Sequence, residues 1–321
     1  MRILAATATA TALLMTTACA TPRKAASAPE AEASSRYAFW RPAPVLDAPD
    51  PTQTIQGAPA SAWRTIAPEN LLVVELKEGG RVVIELAPDF APVHVANVRA
   101  FAKGGWWNDA AVYRVQDNYV AQWGNGDAKV ALPAGVVAKP PAEYHRALEG
   151  LKVRPLGFPD SYAPVVGHAD SWPIGYDPQE GRAWLTHCYG YVGVGRDLAP
   201  DTGTGGELYA IIGHAPRHLD LNIAVIGRVV EGMPLLSARP RGTEALGFYK
   251  DPAQNIGIAR ARLASDMPAA ERPSYEVLRS DTLAFSQYVT GRANRGGEFF
   301  GRPAGGVDIC NAAVPVRKAA G

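Results

Sequence analysis

The chain has 321 residues, with 32 lysine and arginine side chains against 31 aspartates and glutamates, for a formal net charge of +1. Its hydrophobic content of 47% is ordinary for a folded globular protein and excludes wholesale disorder. The near-neutral balance excludes a strong basic field, since phosphate binding requires clustered lysine and arginine. We therefore expect no nucleic-acid partner.

The first residues have the pattern of an export signal. Ile3 to Ala18 is an uncharged apolar stretch after Arg2, too short for a membrane-spanning helix. The small residues before Cys19 resemble a bacterial lipobox, in which the cysteine is lipidated and becomes the mature N-terminus. A competing interpretation is ordinary cleavage after Ala20. Both interpretations make residues 1–18 a signal peptide and predict the periplasmic side of the cell envelope, either lipid-anchored at Cys19 or soluble.

Residues 19–57 are rich in alanine, proline, serine and threonine. Such a composition cannot bury enough apolar surface to offset its ordering entropy, so we predict a flexible tether. The two other cysteines are Cys188 and Cys310. In an oxidising compartment they either form a disulfide that ties the C-terminal segment to the middle of the chain, or stay as buried free thiols.

The first regular elements follow the tether. The β-branched runs Leu71 to Leu76 and Arg81 to Leu86 flank a Gly-Gly turn, which predicts a β-hairpin. Val93 to Lys103 has helical spacing of its apolar residues and stops at Gly104, so we predict a helix. Further short strands are predicted over residues 112–115, 118–123, 191–194, 208–212 and 223–226, and a strand running into a short helix over 229–236.

Two regions lack this pattern. Residues 128–185 are rich in proline and glycine with little periodicity, and we interpret them as a loop insertion. Residues 241–321 form a C-terminal extension expected to pack on the domain, with helical pieces predicted over Ile256 to Met267 and Tyr275 to Tyr288. Many short strands with few helices indicate a barrel or a sandwich rather than a parallel sheet.

Six motifs in chain order carry a family resemblance. Tyr113-Arg114-Val115, followed by Asn118 to Gln122, resembles the Phe-His-Arg-Val and Gly-Phe-Met-Ile-Gln signature of the cyclophilin-type peptidyl-prolyl isomerases. Other segments resemble that family in the same order: Val82 to Asn97, Val192 to Asp197, Gly206 to Gly213, His218 to Asp220 and Val225 to Met233. The resemblance implies a mainly β fold over residues 68–240, a closed antiparallel cyclophilin-like barrel of about eight strands capped by helices.

The same resemblance implies roles for individual residues. Arg114 is carried over as the catalytic arginine, and Gln122 as the residue that binds the substrate backbone and steadies Arg114. The substrate-binding positions are Tyr119, Val120, Gly195, Arg196, Glu207, Tyr209, His218 and Leu219. The implied activity is peptidyl-prolyl cis–trans isomerisation, without a cofactor, on proline-containing segments of exported proteins, which would assist their folding.

The chemistry of this reaction can be stated from the amide itself. C–N resonance imposes a barrier of ~18–20 kcal/mol on rotation about an X-Pro bond. A cationic donor aimed at the prolyl nitrogen and an apolar slot around the ring lower it, since both favour the twisted amide over the planar forms. No metal is required, and His187 beside Cys188 lacks partners at metal-ligand spacing, so we predict no metal site.

Two of three departures from the family pattern, those at Glu207 and Ile223, support a different class of function. Tyr113 replaces a histidine, Glu207 replaces a glutamine, and Ile223 stands where the family has a histidine deeper in its binding site. The alternative is a non-catalytic, cyclophilin-like proline-peptide-binding module of the cell envelope. A weaker alternative is an envelope structural protein with the extension as its partner surface. A salt bridge between Arg114 and Glu207 would favour the binding module, and a guanidinium facing an apolar groove would favour the enzyme.

Overall fold

The computed structural model describes residues 45–125 and 130–319. The expected signal peptide, the lipidation candidate Cys19 and most of the expected tether lie outside these residues. Within the expected tether, Pro51–Gln56 instead forms a short helix, α1, whose cap Asp50 accepts a hydrogen bond from the Gln53 backbone at 2.8 Å. In the described ranges no helix is long and apolar enough to cross a membrane.

The described residues contain four α-helices and sixteen strands, numbered here in chain order. The helices after α1 are α2 (Pro92–Lys103), α3 (Met233–Ser237) and α4 (Leu283–Ala293). The strands are β1 (Trp63–Thr65), β2 (Leu71–Leu76), β3 (Arg81–Leu86), β4 (Ala111–Val115), β5 (Val120–Gly124), β6 (Arg146–Ala147), β7 (Val153–Pro155), β8 (Val165–Ala169), β9 (Trp172–Asp177), β10 (Arg182–Leu185), β11 (Tyr191–Val194), β12 (Leu208–Ile211), β13 (Val225–Glu231), β14 (Ile256–Leu263), β15 (Tyr275–Leu278) and β16 (Val316–Lys318).

Eight strands form a closed antiparallel barrel in the order β11-β12-β5-β4-β14-β2-β3-β13, and β13 pairs with β11 to close it. The expected closed barrel is therefore confirmed. Its interior is filled by one apolar cluster in which Leu72, Ile84 and Val192 are fully buried. The predicted hairpin and helix are also confirmed as β2–β3 and α2. Gly79 and Gly80 both take positive φ in the hairpin turn, which is why glycine stands there.

The predicted helix over Ile256 to Met267 is wrong, because β14 occupies most of it and is a barrel strand between β4 and β2. The register of β14 shifts between Ile258 and Arg260. Ile258 and Ala261 therefore both face inward, three residues apart, and this spacing imitates a helical period. The barrel continues beyond residue 240, where we expected the domain to end.

The second helical prediction in the extension is also wrong in its first half. Tyr275–Leu278 is β15, the middle strand of a three-stranded sheet with β1 and β16. The helix α4 begins only after Thr282, whose hydroxyl accepts from the Phe285 backbone at 3.3 Å. The extension therefore contributes a barrel strand, part of a second sheet and one helix.

The region expected to be a loop insertion is largely a sheet. Residues 146–185 form five antiparallel strands in the order β6-β10-β9-β8-β7. The strands are short, and glycine interrupts their pattern where backbones and rings approach closely: a Cβ on Gly175 would overlap the ring of Trp184. Cys188 and Cys310 form a disulfide with Cα atoms 5.1 Å apart, so the first of the two alternatives for these cysteines is the one observed.

Candidate active site

Strand register places the main site residues in one row across four barrel strands. Arg114 on β4 lies opposite Gln122 on β5, Gln122 lies opposite Tyr209 on β12, and Tyr209 lies opposite Gly193 on β11. The β4–β5 register shifts between Val112 and Arg114, which changes the face on which the following side chains lie. Residues almost a hundred positions apart thus become neighbours through barrel pairing.

The guanidinium of Arg114 is half-buried and held on three sides. Nη1 donates to Gln122 Oε1 at 2.8 Å, Nη2 donates to Gln116 Oε1 at 2.5 Å, and Nε donates to the carbonyl of Leu246 at 2.7 Å. These three acceptors carry no formal charge. Burial lowers the pKa of Arg114, but an arginine stays protonated at any physiological pH. The group is thus a fixed cation.

A second set of hydrogen bonds leads away from Gln122. Gln122 Nε2 donates to the hydroxyl oxygen of Tyr113 at 2.7 Å, and that hydroxyl donates to Glu207 Oε2 at 2.5 Å. Burial, together with the bond to Glu207, raises the pKa of Tyr113, so the phenol stays protonated. Tyr113 and Glu207, the two residues near Arg114 that depart from the family pattern, therefore belong to one chain of hydrogen bonds.

The expected slot residues share one apolar cluster. Val120 and Tyr209 are buried, and Tyr119 and Leu219 are half-buried and pack against the same cluster. The ring of exposed His218 stacks parallel to Tyr119, with centroids 6.1 Å apart. The Tyr209 ring fits because its partner on β11 is a glycine, where a Cβ would overlap the phenol. The structure brings these five side chains together beside Arg114.

Gly195 and Arg196, two of the expected substrate-binding residues, directly follow the end of β11. The Gly195 backbone N–H donates to the Glu207 carbonyl at 2.8 Å, and a Cβ on Gly195 would lie 3.4 Å from Gln122 Nε2. The guanidinium of Arg196 instead donates to the backbone carbonyls of Asp197, at 2.7 Å, and Asn222, at 3.1 Å. Arg196 therefore braces the loop after β11 with its charged end.

Sequence reasoning missed a segment of the extension that borders the site. Besides the Leu246 carbonyl, Phe248 contributes a ring stacked on Tyr113 with centroids 5.9 Å apart, and Arg114 Cζ lies 5.6 Å from the centre of that ring. The Tyr249 N–H also donates to the Tyr113 carbonyl at 3.1 Å. No local sequence motif predicts these contacts, because any residue can supply a backbone carbonyl and a single aromatic residue has no characteristic spacing to a partner.

A buried network of charged side chains fixes the turn that carries two of the expected substrate-binding residues. Arg217 Nε donates to Asp220 Oδ2 at 2.6 Å, and its two terminal nitrogens reach Asp160 at 2.9 and 3.0 Å. His187 Nδ1 lies 2.9 Å from the other oxygen of Asp220. These contacts fix the short turn Arg217–Leu219, which carries His218 and Leu219. His187 is thus held by its contact with Asp220, and its neighbour Cys188 is in the disulfide.

A closed eight-stranded antiparallel barrel with an arginine and a glutamine paired beside an apolar slot defines the cyclophilin class of peptidyl-prolyl isomerases. The chain belongs to the cyclophilin-type peptidyl-prolyl cis–trans isomerase family, whose model matches residues 71–263. That match includes β14 and agrees with a barrel that continues past residue 240.

Comparison with known proteins agrees with this assignment. A protein of Brucella suis named as a probable peptidyl-prolyl cis–trans isomerase is 26% identical over 200 residues, which are 62% of this chain and 85% of that protein. A Brucella melitensis protein of the same name matches equally well. The crystal structure of cyclophilin AquaCyp293 from Hirschia baltica is similar in fold, with a TM-score of 0.62 and 23% identity, and covers 81% of this chain and 95% of that one.

Proposed function

We propose that the chain isomerises X-Pro bonds of exported proteins and so assists their folding, with Arg114 as its catalytic residue. The observation that carries the catalytic part is the setting of the Arg114 guanidinium. It is a half-buried cation held by three uncharged oxygens, beside an apolar cluster that includes Tyr119 and Tyr209.

The geometry suits the electronic change in the reaction. When the amide twists, the prolyl nitrogen gains a lone pair, and a cationic donor favours that state over both planar forms. An arginine has five N–H groups, and the three bonds to Leu246, Gln122 and Gln116 use one from each nitrogen. Among the described residues, this leaves two N–H groups of Arg114 for the substrate. The apolar slot would hold the proline ring, with Gln122 and Gly195 near the substrate backbone.

The export part of the proposal has separate support. The disulfide between Cys188 and Cys310 is a feature of proteins that work in oxidising compartments. The N-terminal pattern favours a signal peptide over residues 1–18. In the proposal the substrates are proline-containing segments of proteins on the periplasmic side, and lipidation at Cys19 would anchor the enzyme there.

The test is a protease-coupled isomerisation assay on a short X-Pro peptide with wild type and Arg114→Ala. We expect kcat/KM to fall by roughly 100- to 1,000-fold, the usual effect of removing one preorganised donor. Arg260→Ala is the matched control, because Arg260 is an exposed arginine on β14 that pairs with Glu75. Full activity in Arg114→Ala would overturn the assignment. For the anchor, intact-mass spectrometry should find a lipid on a chain that starts at Cys19.

A salt bridge between Arg114 and Glu207 would favour the alternative of a non-catalytic binding module. In the structure Glu207 accepts from the Tyr113 hydroxyl, and the oxygens that hold Arg114 are those of Leu246, Gln122 and Gln116. This arrangement favours the enzyme. Proline-peptide binding without any acceleration of isomerisation in the same assay would restore the alternative.

A further inference from the structure

We propose that Tyr113 and Glu207 are positioning residues that fix the direction of the hydrogen bonds on which the orientation of Arg114 depends. The inference rests on the proposed catalytic role of Arg114. It concerns the two residues beside Arg114 where the chain departs from its family, a tyrosine in place of histidine and a glutamate in place of glutamine.

The direction of each bond follows from the chemistry of the groups. A guanidinium has donors only, so the Gln122 atom 2.8 Å from Arg114 Nη1 must be the amide oxygen. The amide nitrogen then faces Tyr113 and donates to its oxygen at 2.7 Å. The single hydrogen of the Tyr113 hydroxyl is left for Glu207 Oε2, 2.5 Å away. All three bonds therefore run the same way, from the arginine to the carboxylate.

The carboxylate at the end of this chain makes the direction unique. A side-chain amide has nearly the same shape in its two flipped orientations, so its partners alone decide between them. If the Gln122 amide flipped, its NH₂ group would face Arg114, and two donors would oppose each other. A hydroxyl alone could adapt to that flip by donating toward Gln122. An ionised carboxylate accepts only, so it holds the Tyr113 hydrogen and keeps the tyrosine oxygen as an acceptor.

The fold also provides room for this carboxylate. Glu207 immediately precedes β12, and its backbone is fixed because its carbonyl accepts from the Gly195 N–H at 2.8 Å. Its side chain lies over Gly124 at the end of β5, where any Cβ would overlap the carboxylate group. A glycine at this position therefore lets Glu207 approach the β4–β5 hairpin closely enough to reach Tyr113.

The experiment measures kcat and KM for X-Pro isomerisation in Tyr113→Phe, Glu207→Leu, Glu207→Gln and the double variant Tyr113→Phe/Glu207→Leu. We expect Tyr113→Phe and Glu207→Leu each to lower kcat about tenfold with little change in KM, because the slot is untouched. Glu207→Gln keeps an acceptor oxygen but adds a donor, so its amide can flip together with that of Gln122, and its kcat should lie between those of wild type and Glu207→Leu. Since both residues act through one chain, the double variant should be no slower than the slower single variant.

The control is Tyr288→Phe. Tyr288 lies on the helix α4, and its hydroxyl donates to the Ala313 carbonyl at 2.8 Å. This variant should leave kcat unchanged. It shows whether the loss of any tyrosine hydrogen bond lowers kcat or only the loss of the bond between Tyr113 and Glu207. Wild-type kcat in both Tyr113→Phe and Glu207→Leu, with Arg114→Ala inactive, would overturn the positioning roles and leave the proposed function standing. If the losses of kcat in the two single variants multiply in the double variant, the two residues act independently. That result would also overturn the proposal of one chain of hydrogen bonds. Full activity in Arg114→Ala would instead defeat the proposed function.

Discussion

Two arginines of the barrel, Arg114 and Arg228, are held in opposite ways. Arg228 is 4% exposed; its Nε and Nη2 donate to the buried carboxylate of Glu85 at 2.9 and 2.6 Å, and its Nη1 donates to the Ser171 carbonyl at 2.8 Å. Its guanidinium also lies 4.3 Å from the centre of the Trp172 ring. Arg114 is half-buried, and the acceptors that hold it carry no formal charge.

The difference shows how one barrel can hold a structural cation and the cation that we propose to be catalytic. A buried carboxylate compensates the charge of Arg228, so the pair fixes β3 against β13, and burial keeps the guanidinium away from a substrate. Dipoles hold Arg114 in place without cancelling its charge. Removing a partner of Arg228 should therefore cost stability, whereas changes around Arg114 should cost rate.

The largest expected effect is on the buried pair. Glu85→Ala should lower the free energy of unfolding by about 3–5 kcal/mol, because it leaves Arg228 buried without its carboxylate and also removes the 2.8 Å contact of Arg64. Urea denaturation measures this. Arg114→Ala is the comparison and should cost at most about 1 kcal/mol while abolishing most activity. Equal losses of stability in the two variants would refute the distinction.

The second prediction uses pH to probe the region around Arg228. Burial lowers the pKa of His168 to about 4, with a hydrogen bond to the Ala312 carbonyl opposing the shift and the charges of Arg228 and Arg154 adding to it. Between pH 6.5 and 4 the unfolded chain binds a proton at this histidine and the folded chain does not. The free energy of unfolding is therefore unaffected by this titration above pH 6.5. It decreases as the pH falls below 6.5, by about 3 kcal/mol at pH 4.

Thermal or urea unfolding across that pH range measures the effect, with His168→Gln as the control. The difference in stability between wild type and variant should change by this amount between pH 6.5 and 4 and stay constant above it. A difference independent of pH would show that His168 titrates normally in the folded protein.

The third prediction concerns Phe248, which borders the candidate active site. Phe248→Ala should lower kcat/KM about two- to fivefold, because it removes the ring that lies over Arg114 and stacks on Tyr113. The isomerisation assay measures this change. Phe299 is 90% exposed and its replacement by alanine serves as the control, with no expected change in rate. An unaltered kcat/KM in Phe248→Ala would show that the ring only covers the site.

The fourth prediction is a gain of stability in the slot. The Tyr209 hydroxyl is buried with no hydrogen-bond partner among the described residues, and desolvation raises its pKa. Tyr209→Phe should therefore raise the free energy of unfolding by about 1 kcal/mol and leave kcat/KM near wild type. Tyr288→Phe should have the opposite sign, since its hydroxyl donates to Ala313. A destabilised or inactive Tyr209→Phe would mean that the hydroxyl has a bound partner.

Much of the barrel and the site could be predicted from local patterns. The β2–β3 hairpin and α2 follow from β-branched runs, a Gly-Gly turn and helical spacing, all within a few residues. The motif resemblance placed Arg114, Gln122 and Tyr209, and the register brings these three together in one row. The extension and the insertion were harder. A register shift hid β14 behind an apparent helical period, and the short strands of residues 146–185 pair with partners that local periodicity does not reveal.

The sequence by itself thus determined the family, the β2–β3 hairpin and the choice of Arg114 as the candidate catalytic residue, because each depends on residue types at short, fixed spacings. Only the tertiary structure decided that Leu246 and Phe248 hold Arg114, that Cys188 pairs with Cys310, and that Glu207 reaches Arg114 through Tyr113 and Gln122. The bond between Arg114 and Leu246 joins residues 132 positions apart. These contacts exist because the barrel closes and the extension folds back on it, and the direction of their hydrogen bonds depends on which donor and acceptor atoms that closure brings together.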